Sequence, residues 1–101
     1  MQFKRSLYKR GHSYETTIPK FLLLGLDSSK KYDAVFEFKD NKWFISFDYP
    51  KKEKNLNKIR CKLYQRASSF EVTVPKLLLL NSKTKSVIFK QINKGWSVEI
   101  K

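Results

Sequence analysis

Apolar and polar residues alternate over most of this chain. In FKRSLYK (residues 3–9), Phe3, Arg5 and Leu7 fall on one side of an extended strand and Lys4, Ser6 and Tyr8 on the other; IRCKLYQ (residues 59–65) follows the same rule. SYETTI and SFEVTV, rich in β-branched and aromatic residues, read as second strands. Pro19 and Pro75 end them, because proline has no N–H to give to a ladder. Proline also suits the first turn of a helix, so short helices are expected over Lys20–Leu24 and Lys76–Leu80. YDAVFEF and WFISFDY then flank KDNK, a hairpin signal, and SVIFKQI and WSVEI flank NKG in the same way.

The same pattern is written twice. An offset of 56 places Leu7 on Leu63, Tyr8 on Tyr64, Arg10 on Arg66, Glu15 on Glu71, Pro19 on Pro75 and Lys20 on Lys76. Beyond the leucine run the offset becomes 53, placing Phe36 on Phe89 and Trp43 on Trp96, so the second copy is three residues shorter after its expected helix. Between the copies, PKKEKNLNK (residues 50–58) is polar and lysine-rich and reads as a linker. Units of this size bury too little surface to stand alone. One domain over residues 1–101 is therefore expected, with repeats at 3–49 and 59–101 sharing one core. The aromatic residues Phe36, Phe38, Trp43, Phe44, Phe47, Phe89 and Trp96 read as core, as do Tyr14 and Phe70; the alternative is a base-stacking platform for RNA.

Charge changes the picture from fold to partner. The chain has 22 Lys+Arg against 9 Asp+Glu, a formal net charge of +13, which favours polyanionic partners. The second copy is the more basic, with nine basic and two acidic residues over 59–101, against nine and six over 1–49. Cys61 is the sole cysteine, so no internal disulfide forms, and a reducing, cytoplasmic setting is expected. No apolar run approaches a membrane span, and MQFKRSLYKR lacks the apolar core of a signal peptide. Catalysis has little to stand on: His12 is the sole histidine, and there is no Cys/His metal spacing and no glycine-rich phosphate loop. Neither an enzyme nor a bound cofactor is expected.

GHSYETTIPK, followed by a short helix, LGLD and a basic turn, resembles the AbrB/MazE/SpoVT swapped-hairpin transcription factors, in a spelling close to archaeal-looking variants. The resemblance covers nearly all of the chain outside the linker. It implies a mainly β, AbrB-like barrel of two tandem ββαββ repeats, each with one short helix, in which hairpins interleave as in a single-chain pseudo-dimer. It further implies binding of double-stranded DNA, as a transcriptional regulator or a chromatin- or nucleoid-associated protein. The chain departs from that family in three ways. Phe21–Leu24 and Leu77–Leu80 replace the usual charged helix, Ala67-Ser68 replaces Gly11-His12 at the second turn, and Leu80-Asn81-Ser82-Lys83 stands where the first copy has Leu-Gly-Leu-Asp.

If Phe3, Leu7, Ile59 and Leu63 point into the barrel, alternation puts Lys4, Tyr8 and Arg10, and likewise Arg60, Lys62, Tyr64 and Arg66, on the outer face. Lysine and arginine there neutralise phosphates, tyrosine donates or stacks, and arginine can read bases. The resemblance adds Arg5 and Lys9. Lys20 and Lys76, after the prolines, sit where helix amides favour anions. The plainer alternative is a solvated strand face with Arg10 and Arg66 paired to Glu15 and Glu71. Two rival functions stand beside DNA binding: an RNA-binding module, and a protein-interaction module of the antitoxin kind. The chain ends right after its last expected strand, with no tail to wrap a toxin, which weighs against the latter. The all-apolar helices also suggest self-association through Leu22, Leu23, Leu78 and Leu79.

Overall fold

The computed structural model describes residues 1–52, 57–79, 86–93 and 95–101. The middle of the expected linker, the end of the second expected helix at Leu80 and the segment through Lys83 lie outside the described residues. Strands β1 (Gln2–Ser6), β2 (Tyr8–Arg10), β3 (Ser13–Ile18), β4 (Asp33–Lys39) and β5 (Lys42–Asp48) come from the first half. Strands β6 (Lys58–Arg66), β7 (Ser69–Thr73), β8 (Ser86–Ile92) and β9 (Gly95–Ile100) come from the second. They form one antiparallel sheet in the order β1-β8-β9-β5-β4-β6-β7-β3-β2. Leu7 alone separates β1 from β2, so the two ends of this order are contiguous in the chain and the sheet curls into a nearly closed barrel.

The strand bounds follow the offsets seen in the sequence: 2–10 beside 58–66, and 33–39 beside 86–92. So do the pairings. Phe3 lies opposite Phe89 where Ile59 lies opposite Phe36, and Trp43 opposite Val98 where Trp96 lies opposite Ile45. Ladders therefore run across the halves: β1 with β8, β4 with β6, β3 with β7 and β5 with β9. The β4–β5 hairpin turns on Asp40 and Asn41 at φ 53° and 61°, the left-handed pair a two-residue hairpin needs.

Inside the barrel, Ile18, Phe36, Ile45, Val72, Val87, Phe89 and Val98 make the buried core, with Phe3, Leu7, Trp43, Phe47, Ile59, Leu63, Phe70 and Trp96 packed against it. Tyr14, expected in the core, is 38% exposed, and Phe38 is exposed as well. The two expected helices are short 3₁₀ segments, Lys20–Leu23 and Lys76–Leu79, each opened by a bond from the third residue back to proline: Leu22 N–H to Pro19 O and Leu78 N–H to Pro75 O, both 3.0 Å. In the first turn Leu24 is already extended and Gly25 stands at φ 88°, so the run stops before an α-helix can nucleate. These turns plug the barrel. Leu22 and Leu78 are buried in the core and Leu23 and Leu79 pack against it, so the expected association surface points inward; Phe21, Leu24 and Leu77 are the exposed members. Among the described residues no helix is long and apolar enough to cross a membrane.

Candidate nucleic-acid interface

β6, β7, β3 and β2 lie side by side, and their register aligns polar residues on the face opposite the core. Tyr8 pairs with Glu15 and Glu15 with Thr73; Tyr64 pairs with Glu71 and Glu71 with Thr17. Glu15 and Glu71 are only 6% and 8% exposed, although they sit on the outer side of the sheet. Arginine and tyrosine side chains cover them. Arg10 Nε lies 3.0 Å from Glu15 Oε1 and its Nη2 3.7 Å from Glu71 Oε1, while Arg66 Nε lies 3.0 Å from Glu71 Oε1. Arg10 also stacks over the Tyr8 ring at 5.5 Å. The Tyr8 hydroxyl is buried beside Glu71. Burial first, and the neighbouring carboxylate second, push its pKa above the ordinary 10.0.

The result is a quartet of two arginines and two glutamates. Its formal charge cancels, so it does not attract a polyanion by itself. Its geometry is the useful part. Each guanidinium lies at ion-pair distance from a buried carboxylate oxygen that accepts no hydrogen bond, and the side chains of Arg10 and Arg66 remain 41% and 51% exposed. A planar fork placed beside a carboxylate in this way can present its outer N–H groups to a bidentate acceptor. The ion pairing anticipated as the plainer alternative is thus present, and it leaves the outer edges of both arginines open.

The other expected contacts scatter around this face. Lys4, Lys9, Lys20, Lys62 and Lys76 are exposed. Lys9 sits opposite Tyr14 and alternates away from Arg10. Arg5 and Lys20 line a small cleft with Thr17 and Ser69, and Arg5 lies over the Phe3 ring at 5.7 Å. Lys62 and Tyr64 line a larger groove with Lys30 and Lys31, two lysines that the repeat comparison does not single out. Their sequence signal is the basic turn SSKKY, in the stretch where the two copies differ in length.

Arg60 is not part of this surface. Its side chain, 13% exposed, reaches Asp33 at 3.2 Å, Asp48 at 3.1 Å and the Tyr49 carbonyl at 3.4 Å. The guanidinium holds the Asp48 carboxyl below its ordinary 3.8, helped by the Tyr49 amide. Arg60 therefore ties β4 and β5 to β6 rather than facing a phosphate. Comparison with protein-family models, with curated proteins and with solved structures gives no match to this chain.

Proposed function

We propose that this chain binds double-stranded DNA, as an AbrB-like regulator or chromatin-associated protein built from two tandem swapped-hairpin units. The observation that carries the reading is the quartet: Arg10 and Arg66, related by the repeat offset, held by Glu15 and Glu71 with their outer edges open. The ladders that cross between the halves support the interleaved architecture. The net charge of +13 supplies the long-range attraction that the neutral quartet lacks. In this reading the lysines around the face position the duplex by its phosphates, and the two arginines read acceptor edges in a groove. The protein acts by binding and not by catalysis.

The test is fluorescence anisotropy with duplex DNA, single-stranded DNA and RNA of equal length across a salt series. The expected outcome is a preference for duplex, with a log–log salt slope near −5 for about six neutralised phosphates. Arg10→Ala and Arg66→Ala are each expected to weaken duplex binding by about tenfold or more, the scale of one lost bidentate contact. Equal affinity for all three nucleic acids, or arginine variants that bind as the parent does, would overturn the reading.

A further inference from the structure

A groove of about 770 Å³ lies between the loop after the first 3₁₀ turn and the strand β6. Its floor is apolar, made by Leu26, Leu63 and Phe70, and its rim carries Lys30, Lys31 and Lys62. Two aspartates also line it, and both are already engaged. Asp27 Oδ1 accepts the Ser29 amide at 2.9 Å and the Ser29 hydroxyl at 2.7 Å, and Asp33 Oδ2 takes Arg60 at 3.2 Å. Among the described residues no acidic side chain pairs with Lys31 or Lys62. Ser29 is neutral and leaves Asp27 its charge, but the three lysines outnumber it, so the net charge that meets a ligand is cationic.

The wall opposite β6 is built. The Asp27 amide donates to the Tyr32 hydroxyl at 2.8 Å, Tyr32 stacks on Tyr49 at 5.1 Å, and Lys30 lies over the same Tyr49 ring at 5.6 Å. This wall falls in the stretch where the repeat offset drops from 56 to 53, so its sequence is not repeated in the second copy. A concave site of a few hundred cubic ångströms, with apolar lining and lysines in excess over carboxylates, suits a small ligand more than a flat polymer surface.

We propose that this groove binds a small amphipathic anion: an apolar or aromatic body seated on Leu26, Leu63 and Phe70, its carboxylate, phosphate or sulfonate held by Lys31 and Lys62. The proposal shares Lys62 with the proposed DNA-binding face but does not rest on that reading, and its test uses no nucleic acid. Anilinonaphthalene sulfonate, an aromatic anion, is titrated into the intact protein and followed by its fluorescence. Saturable 1:1 binding is expected, weakened about tenfold or more in the Lys31→Glu/Lys62→Glu double variant. The charge-matched Lys39→Glu/Lys42→Glu variant, at the far tip of the β4–β5 hairpin, is expected to stay within about twofold of the parent. Leu26→Asp, which leaves every lysine in place, is expected to weaken binding to a similar degree and guards against a fold defect in the double variant. Laurate or AMP displacing the dye supports the site and separates a lipid-like source from a nucleotide-like one. Equal weakening in both lysine variants, binding without a 1:1 end point, or equal displacement by uncharged decanol overturns the proposal.

Discussion

At the scale of single residues, the two copies solve one turn with different amino acids. Gly11 at φ 64° and Ala67 at φ 56° hold the same left-handed position, 56 residues apart. The loss of glycine in the second copy therefore leaves the turn's geometry intact and moves its cost onto Ala67, whose Cβ is crowded in this conformation. Ala67→Gly is expected to stabilise the protein by about 0.5–1 kcal/mol and Gly11→Ala to destabilise it by about 1 kcal/mol, read as shifts in the urea midpoint. Cys61 allows a pH prediction. Burial first, and Asp33 second, push its thiol up to about 11 from an ordinary 9.0. A raised folded-state pKa contributes stability that is intact below the ordinary value and lost as pH rises through the shifted one. Stability is thus expected to fall between pH 9 and 11, and the Cys61→Ala variant should lack that part of the slope. At pH 8 the native thiol should react with a disulfide reagent about a hundredfold more slowly than a free one, in proportion to its thiolate fraction.

At the scale of elements, alternation made the strands legible. The hairpin at KDNK, the breaks at Pro19 and Pro75 and most of the apolar-in residues lie where period-2 reading puts them. The 3₁₀ turns were not legible as such, since a proline before four apolar residues looks the same whether or not the run continues as an α-helix. What decides it is the extended Leu24 and the left-handed Gly25 behind the run. Inside that turn the all-apolar pattern hides a division of labour. Leu22 is 7% exposed and Leu24 69%. Leu22→Ala is expected to cost about 2–4 kcal/mol and Leu24→Ala less than about 0.5 kcal/mol, again from urea unfolding. The pairs Arg10–Glu15 and Arg66–Glu71 were legible in the sequence, whereas the Arg10–Glu71 contact that joins them into a quartet depends on the β3–β7 ladder. Arg60 was not legible in this way. Its partners Asp33 and Asp48 come from strands that only the tertiary pairing brings near, and their counterparts in the second copy are Ser86 and Lys101. Lys4, at the repeat position of Arg60, therefore offers no hint of that ion pair.

At the scale of the molecule, the repeat could be seen in the sequence, whereas the way its halves join needed the ladders. β1 pairs with β8 and β4 with β6, so neither half can complete its own sheet. Chains covering residues 1–52 or 53–101 alone are expected to stay unfolded at low concentration, and their mixture to regain β-sheet circular dichroism as a one-to-one complex in sedimentation. A half that folds as a monomer would contradict this interdependence. Charge works at the same scale: +13 spread over a barrel this small sets copies of the chain to repel one another.

The break at Leu7 has a consequence for how the protein is made. β1 is the first of the nine strands in chain order, yet its ladder partner β8, at residues 86–92, is the eighth. Phe3 can meet Phe89 only once the six strands between them have been made, so this seam does not close in the order of synthesis. That seam is a contact of long sequence separation, which forms slowly, whereas the β2–β3, β4–β5, β6–β7 and β8–β9 hairpins are local and can form before it. Until the seam closes, the mutual repulsion of lysine-rich chains helps to keep their exposed apolar strands apart.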